Sequence, residues 1–165
     1  MADYWVFVQA LLAGQVDEFG DHSAVADDHA DPRGGAFVAE AADAMAKRYD
    51  AGVIALELHE APAALDEFVR EGNRFLVDVA PWAMSKDASR RQELADILYH
   101  ATEALRVAAV FASPVMPRGA DRLWAQLGLP GSAAAQRLPG AAAWGGLQPG
   151  TRTSRGESLF PRLEE

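Results

Sequence analysis

The chain has 165 residues, with 24 acidic against 15 basic side chains, a formal charge of −9, half of its residues apolar and no cysteine. These values exclude a generic basic nucleic-acid binder, disulfide staples, thiolate catalysis and cysteine-based zinc sites, and they favour one globular domain over disorder. The charge is lopsided: residues 1–60 hold twelve acids and three bases (Arg33, Lys47, Arg48), whereas residues 61–165 are balanced.

The start, Met1-Ala2-Asp3-Tyr4-Trp5, shows no signal-peptide pattern. No apolar run approaches the ~20 residues that span a bilayer, so the expectation is a cytoplasmic chain without membrane contact. Trp5, Val8, Leu12, Val16 and Phe19 recur at helical spacing behind Asp3 as N-cap, and Gly20 ends that segment. Residues 20–35 carry Asp21, His22, Asp27, Asp28, His29 and Asp31 with a proline and paired glycines, and read as a solvated acidic loop. Val38, Ala42, Met45, Tyr49, Val53 and Leu56 form a second stripe, broken at His59-Glu60-Ala61-Pro62 because proline interrupts a helix interior. A third helix places Leu65, Phe68, Val69, Gly72, Leu76 and Val79 on one side and stops at Ala80-Pro81.

The fourth helix is the clearest. Ser89 and Gln92 sit at capping-box spacing, and the pattern runs to Ser113-Pro114. Glu93, Asp96, His100 and Glu103 are expected to keep one face wet, while Val107 to Ala112 is wholly apolar and should be enclosed by other helices. A fifth helix, Gly119 to Leu127, is closed by Gly128. Beyond it periodicity is lost. The predicted architecture is an all-α bundle of about five helices over residues 1–128. Residues 129–165 are a Gly/Pro-rich linker and an extended C-terminal tail.

Few constellations could carry chemistry. The His and Asp residues of the acidic loop offer metal-type ligands, but their spacing fits no defined template and enrichment in an acidic loop explains them; no metal site is assigned. His59, beside Glu57 and Glu60, could act as a general base, or it could cap the following helix. No phosphate-binding glycine loop is present. The chain is therefore not expected to be an enzyme by itself, and no cofactor is implied. Trp82 follows Pro81 at a corner between helices, near Asn73, Arg74, Lys86, Arg90 and Arg91. An aromatic face with cations around it is what single-stranded RNA recognition uses; the alternative is a tryptophan packed as a plug between helices. Leu159, Phe160, Pro161 and Arg162 form an apolar hook in the tail that should dock somewhere.

From Asn73-Arg74-Phe75 through Ala80-Pro81-Trp82-Ala83-Met84-Ser85-Lys86-Asp87 the sequence resembles the C-terminal anticodon-binding domain of bacterial methionyl-tRNA synthetases. The similarity continues through Glu103-Ala104-Leu105-Arg106, Ser113-Pro114-Val115-Met116-Pro117, Leu123-Trp124-Ala125-Gln126-Leu127-Gly128, Trp144-Gly145-Gly146-Leu147 and the ending Leu159-Phe160-Pro161-Arg162. It covers about residues 50–165. The resemblance implies a helical bundle of the class I synthetase type in which Trp82, beside Pro81, contacts the CAU anticodon. It also implies a tail that folds back along a synthetase body. The family's first helix presents an asparagine and, four residues on, an arginine that read bases; the corresponding positions fall near Val6 and Ala10, which can donate no hydrogen bond. No HIGH-type motif occurs, and Met84-Ser85-Lys86 belongs to the Pro-Trp block rather than to a catalytic loop.

Two functions follow. One is a tRNA-binding module without a catalytic domain, acting with a catalytic synthetase domain or related protein through its tail. The other is a paralogous interaction protein that has dropped anticodon reading and docks on another protein, such as a synthetase-like biosynthetic enzyme.

Overall fold

The computed structural model describes residues 35–85, 87–154, 156 and 159. Their helices are α1 (Gly35–Ile54), α2 (Glu60–Val79), the single turn α3 (Pro81–Met84), α4 (Arg91–Ala112) and α5 (Pro117–Gln126), with 3-10 turns at Ala88–Arg90, Ala133–Ala135 and Gly140–Ala142. Among the described residues there is no strand, and the all-α bundle is as expected. The first expected helix, with Val6 and Ala10, and the acidic loop with its metal-type ligands lie outside the described residues. Among the described residues no group of three His, Asp or Glu could hold a metal ion, and no helix is long and apolar enough to cross a membrane.

Short connections make neighbours antiparallel. Arg48 near the end of α1 pairs with Glu60 (2.8 Å) and Glu67 (2.6 Å) in the first half of α2, and Tyr49 meets Phe111 at 4.9 Å between ring centroids. The C-terminal ends of α1 and α4 therefore lie together, and the corner at Ala80 lies at the opposite end. The enclosed half of α4 is as the apolar run required: Val107 and Ala109 are fully buried, with Val110 and Phe111 beside them. Full burial of a valine or phenylalanine stabilises by about 1.5–3 kcal/mol, so α4 is the post around which α1, α2 and α5 pack.

Four expectations change. Glu103 does not face water; it is 0% exposed, because its carboxylate is matched by a buried guanidinium and backbone donors. Helix α4 is not opened by a capping box at Ser89 and Gln92. Asp87 accepts from the Ser89 amide (2.9 Å) and hydroxyl (2.7 Å), which starts the 3-10 turn, and Gln92 donates instead to Asp96 (3.0 Å). The second stripe loses its end, since α1 stops at Ile54 and leaves Val53 and Leu56 exposed. His59 occupies the N-cap position of α2, but its side chain makes no cap hydrogen bond and lies 3.4 Å from the Glu60 carboxylate.

The segment after Gly128 is tied down rather than trailing. The Ser154 amide donates to the Gln126 carbonyl (2.8 Å), and Leu159 is 8% exposed within the chain's own core. Leu159, expected to dock on a partner, thus buries its side chain against its own bundle, which removes the same apolar surface from water. Phe160, Pro161 and Arg162 lie outside the described residues.

Candidate nucleic-acid interface

The corner that carries Trp82 begins with a backbone reversal. Ala80 stands at φ 46°, ψ 59°, the left-handed region, and its amide donates to the Leu76 carbonyl at 3.1 Å. This ends α2 with a left-handed residue at a place usually given to glycine. Pro81 then opens α3 where no amide donor is required and its ring pre-sets φ. Pro81 and Met84, three residues apart, share the inward face of this turn and are buried, Pro81 below 2% exposure. Trp82 and Ala83 take the outward face, and Trp82 is 39% exposed. The tryptophan is therefore neither a wholly buried plug nor a free surface ring: one part is seated and a face is open.

The turn is braced on its far side. The Ser85 hydroxyl donates to the Trp82 carbonyl (2.9 Å), the Ser85 amide to the Pro81 carbonyl (3.1 Å), and the Asp87 amide to the Met84 carbonyl (2.9 Å). Hydrogen bonds from Ser89 hold the Asp87 carboxyl below the usual carboxylate range. Replacing Ala80 by glycine should relieve the left-handed strain, which costs an alanine about 1 kcal/mol, and raise unfolding stability by about 0.5 kcal/mol after the looser unfolded chain is counted. A lower urea midpoint in Ala80→Gly would contradict that account.

The nearby cations come from the two helices that flank the corner. Arg74 is exposed and 3.5 Å from Glu71; Arg90 makes a two-pronged pair with Glu93 at 2.8 and 3.0 Å. That pairing raises the Arg90 guanidinium pKa further. Asn73 is half-buried, Arg91 is exposed at the start of α4, and Lys86 lies outside the described residues. Exposed pairs of this kind contribute about 0–1 kcal/mol, so a phosphate can take either arginine from its carboxylate at little cost.

A second arrangement was not found from the sequence. Arg106 donates from Nε to Glu103 Oε2 (2.7 Å) and from Nη2 to Oε1 (2.8 Å), with both side chains buried. The guanidinium also donates to the carbonyls of Ala141 (2.6 Å) and Ala143 (2.7 Å). The Glu103 carboxylate accepts from the amides of Gly145 (2.7 Å), Gly146 (2.9 Å) and Leu147 (3.0 Å). One ion pair thus satisfies five backbone groups of the segment 141–147. Gly145 has φ +87°, and a Cβ at Gly146 would lie 2.8 Å from Arg106 Cζ, so the paired glycines are what let the backbone reach the pair. Trp144 stacks on His100 at 6.2 Å between centroids, and the Tyr99 hydroxyl donates to the Leu147 carbonyl at 3.3 Å. The available signal was an acid and a base three residues apart inside an apolar helix half, together with a later Gly-Gly.

Comparison with known proteins bears on this geometry. A family model described as the anticodon binding domain of methionyl tRNA ligase matches residues 27–165. A methionine–tRNA ligase of Streptomyces coelicolor is 42% identical over 107 residues, covering 62% of this chain and 20% of the relative. That of Deinococcus radiodurans is 39% identical over 109 residues, 66% of this chain and 15% of the relative. That of Bacillus subtilis is 30% identical over 123 residues, 74% of this chain and 18% of the relative. The chain spans a fifth or less of the length of these relatives.

Proposed function

The chain belongs to the family of methionyl-tRNA ligase anticodon-binding domains, and on that basis we propose that it binds tRNA through the Trp82 corner and leaves aminoacylation to a catalytic domain or subunit. The half-open tryptophan carries the reading: a ring seated on one side and 39% exposed is a platform on which an unpaired anticodon base can stack. Pro81 fixes its orientation, and Arg74, Arg90 and Arg91, with Asn73 and Lys86, lie on the approach that the phosphates would take. The site of action is the cytoplasm, where tRNA is charged.

The field of the whole chain opposes this binding, since −9 repels a polyanion. Affinity is therefore weak and steeply salt-dependent, each phosphate neutralised adding about 0.7–0.9 to the logarithmic salt slope. The same charge favours the second reading, an interaction protein that has given up anticodon contact. Filter binding of the full chain to a tRNA with a CAU anticodon, and to the same tRNA with that triplet replaced, separates the two at low salt. Preferential retention of the CAU form supports the tRNA module. Equal retention removes anticodon reading, and no retention of either tRNA removes the module altogether.

A further inference from the structure

The end of the bundle remote from Trp82 carries an apolar surface that the fold does not use. Helix α1 ends in a Schellman arrangement: the Leu56 amide donates to the Val53 carbonyl (3.1 Å) and the Glu57 amide to the Gly52 carbonyl (2.9 Å). Leu56 holds the left-handed position at φ +59°, where glycine carries least strain, and its side chain is 81% exposed. A leucine there costs about 1 kcal/mol of backbone strain and buries nothing in return. Ile54 (75%), Leu58 (65%) and Val53 (41%) stand beside it in sequence, equally open. Because the ends of α1 and α4 meet at Tyr49 and Phe111, the α4–α5 turn emerges at the same end, and it exposes Val115 (59%) and Met116 (41%). A helix of 20 residues rises about 30 Å, so this end and the Trp82 corner are separated by roughly that length.

Charge selects the occupant. Around the α1–α2 turn stand Asp50, Glu57, Glu60 and Glu67 against Arg48 alone, with Arg118 on the α4–α5 side. An acidic rim disfavours a second copy of the same end, an RNA, and this chain's own residues 1–34, which hold seven acids and one base. It suits a protein surface with an apolar centre and basic flanks. In the relatives this domain is a fifth or less of a longer chain, so the remaining four-fifths is the macromolecule such a module must meet.

We infer that Val53, Ile54, Leu56, Leu58, Val115 and Met116 form a docking surface for the catalytic part of a methionyl-tRNA ligase, in the same chain or a separate one, through an apolar patch rimmed by lysine or arginine. The inference rests on the proposed function. It gives the bundle two working ends, one seated on the ligase body and one facing the anticodon.

The test uses the full 165-residue chain in biolayer interferometry against Streptomyces coelicolor methionine–tRNA ligase from which the matching C-terminal fifth has been removed. Saturable binding is expected, weakened at least tenfold by Ile54→Glu with Leu56→Glu and separately by Val115→Glu. These positions are exposed, so the far-ultraviolet circular dichroism should be unchanged, and the variants should retain tRNA as the parent chain does. Absence of binding by a chain that still retains CAU tRNA overturns the docking surface alone. Absence of both overturns the underlying reading with it. Binding that the variants do not alter, or light scattering that shows a parent dimer and monomeric variants, also overturns the proposal, the latter in favour of a second copy.

Discussion

Replacing Arg106 by methionine is expected to lower unfolding stability by about 3–5 kcal/mol, the usual cost of stranding one partner of a buried ion pair. Glu103 would keep its three amide donors but lose its counter-charge, and the carbonyls of Ala141 and Ala143 would lose their donor. The informative comparison is the double variant Glu103→Leu, Arg106→Met. Buried pairs elsewhere can be exchanged for apolar residues without loss, because both charges leave together. Here they cannot, since the pair also serves five backbone groups, and each group left buried and unmatched costs about 1–3 kcal/mol. The double variant should remain strongly destabilised in urea unfolding, and trypsin should cut faster after Arg137 and Arg152, which flank the clamped segment. A double variant with the parent's midpoint would show that the pair does not hold residues 141–147.

Trp82→Ala is expected to weaken tRNA retention at low salt by about 1–3 kcal/mol, or roughly 5- to 150-fold, the range for losing one base–aromatic stack. The ring is already 39% exposed, and Pro81 and Met84 anchor the turn from its inner face, so the fold should survive the change. Trp82→Phe keeps a smaller platform and should fall between the two. Undiminished retention by a folded Trp82→Ala chain would place the contact elsewhere. The fold and the interface separate cleanly in these two experiments: the first variant should lose structure with RNA absent, and the second should lose RNA with structure intact.

How much of this was legible in the sequence depends on the range of the interaction. The helical spacing of Val38, Ala42, Met45 and Tyr49, and of Leu94, Ile97, Leu98 and Ala101, identified faces that are buried in the structure. The Ala80-Pro81 stop placed the corner correctly, because proline acts on its own backbone neighbours. Errors arose where a side chain's partner lay far along the chain. Glu103 was assigned to water because a lone carboxylate on a helix is normally solvated; its partners include amides 42 to 44 residues away. The stretch after Gly128 looked like a linker because it lacks periodicity, yet irregular backbone can be fixed by hydrogen bonds to a buried pair as firmly as by a helix.

Charge and apolar periodicity, both local properties of the chain, were sufficient to determine the helical class, the acidic first third and the Pro-Trp corner. Tertiary structure alone decided three other matters. It left Trp82 half open, paired Arg74 and Arg90 with acids on their own helices, and brought Val53 to Leu58 together with Val115 and Met116 at the far end of the bundle. The reason is physical: whether a side chain is exposed, and whether a charge is free to meet a phosphate, depends on what the rest of the fold packs against it.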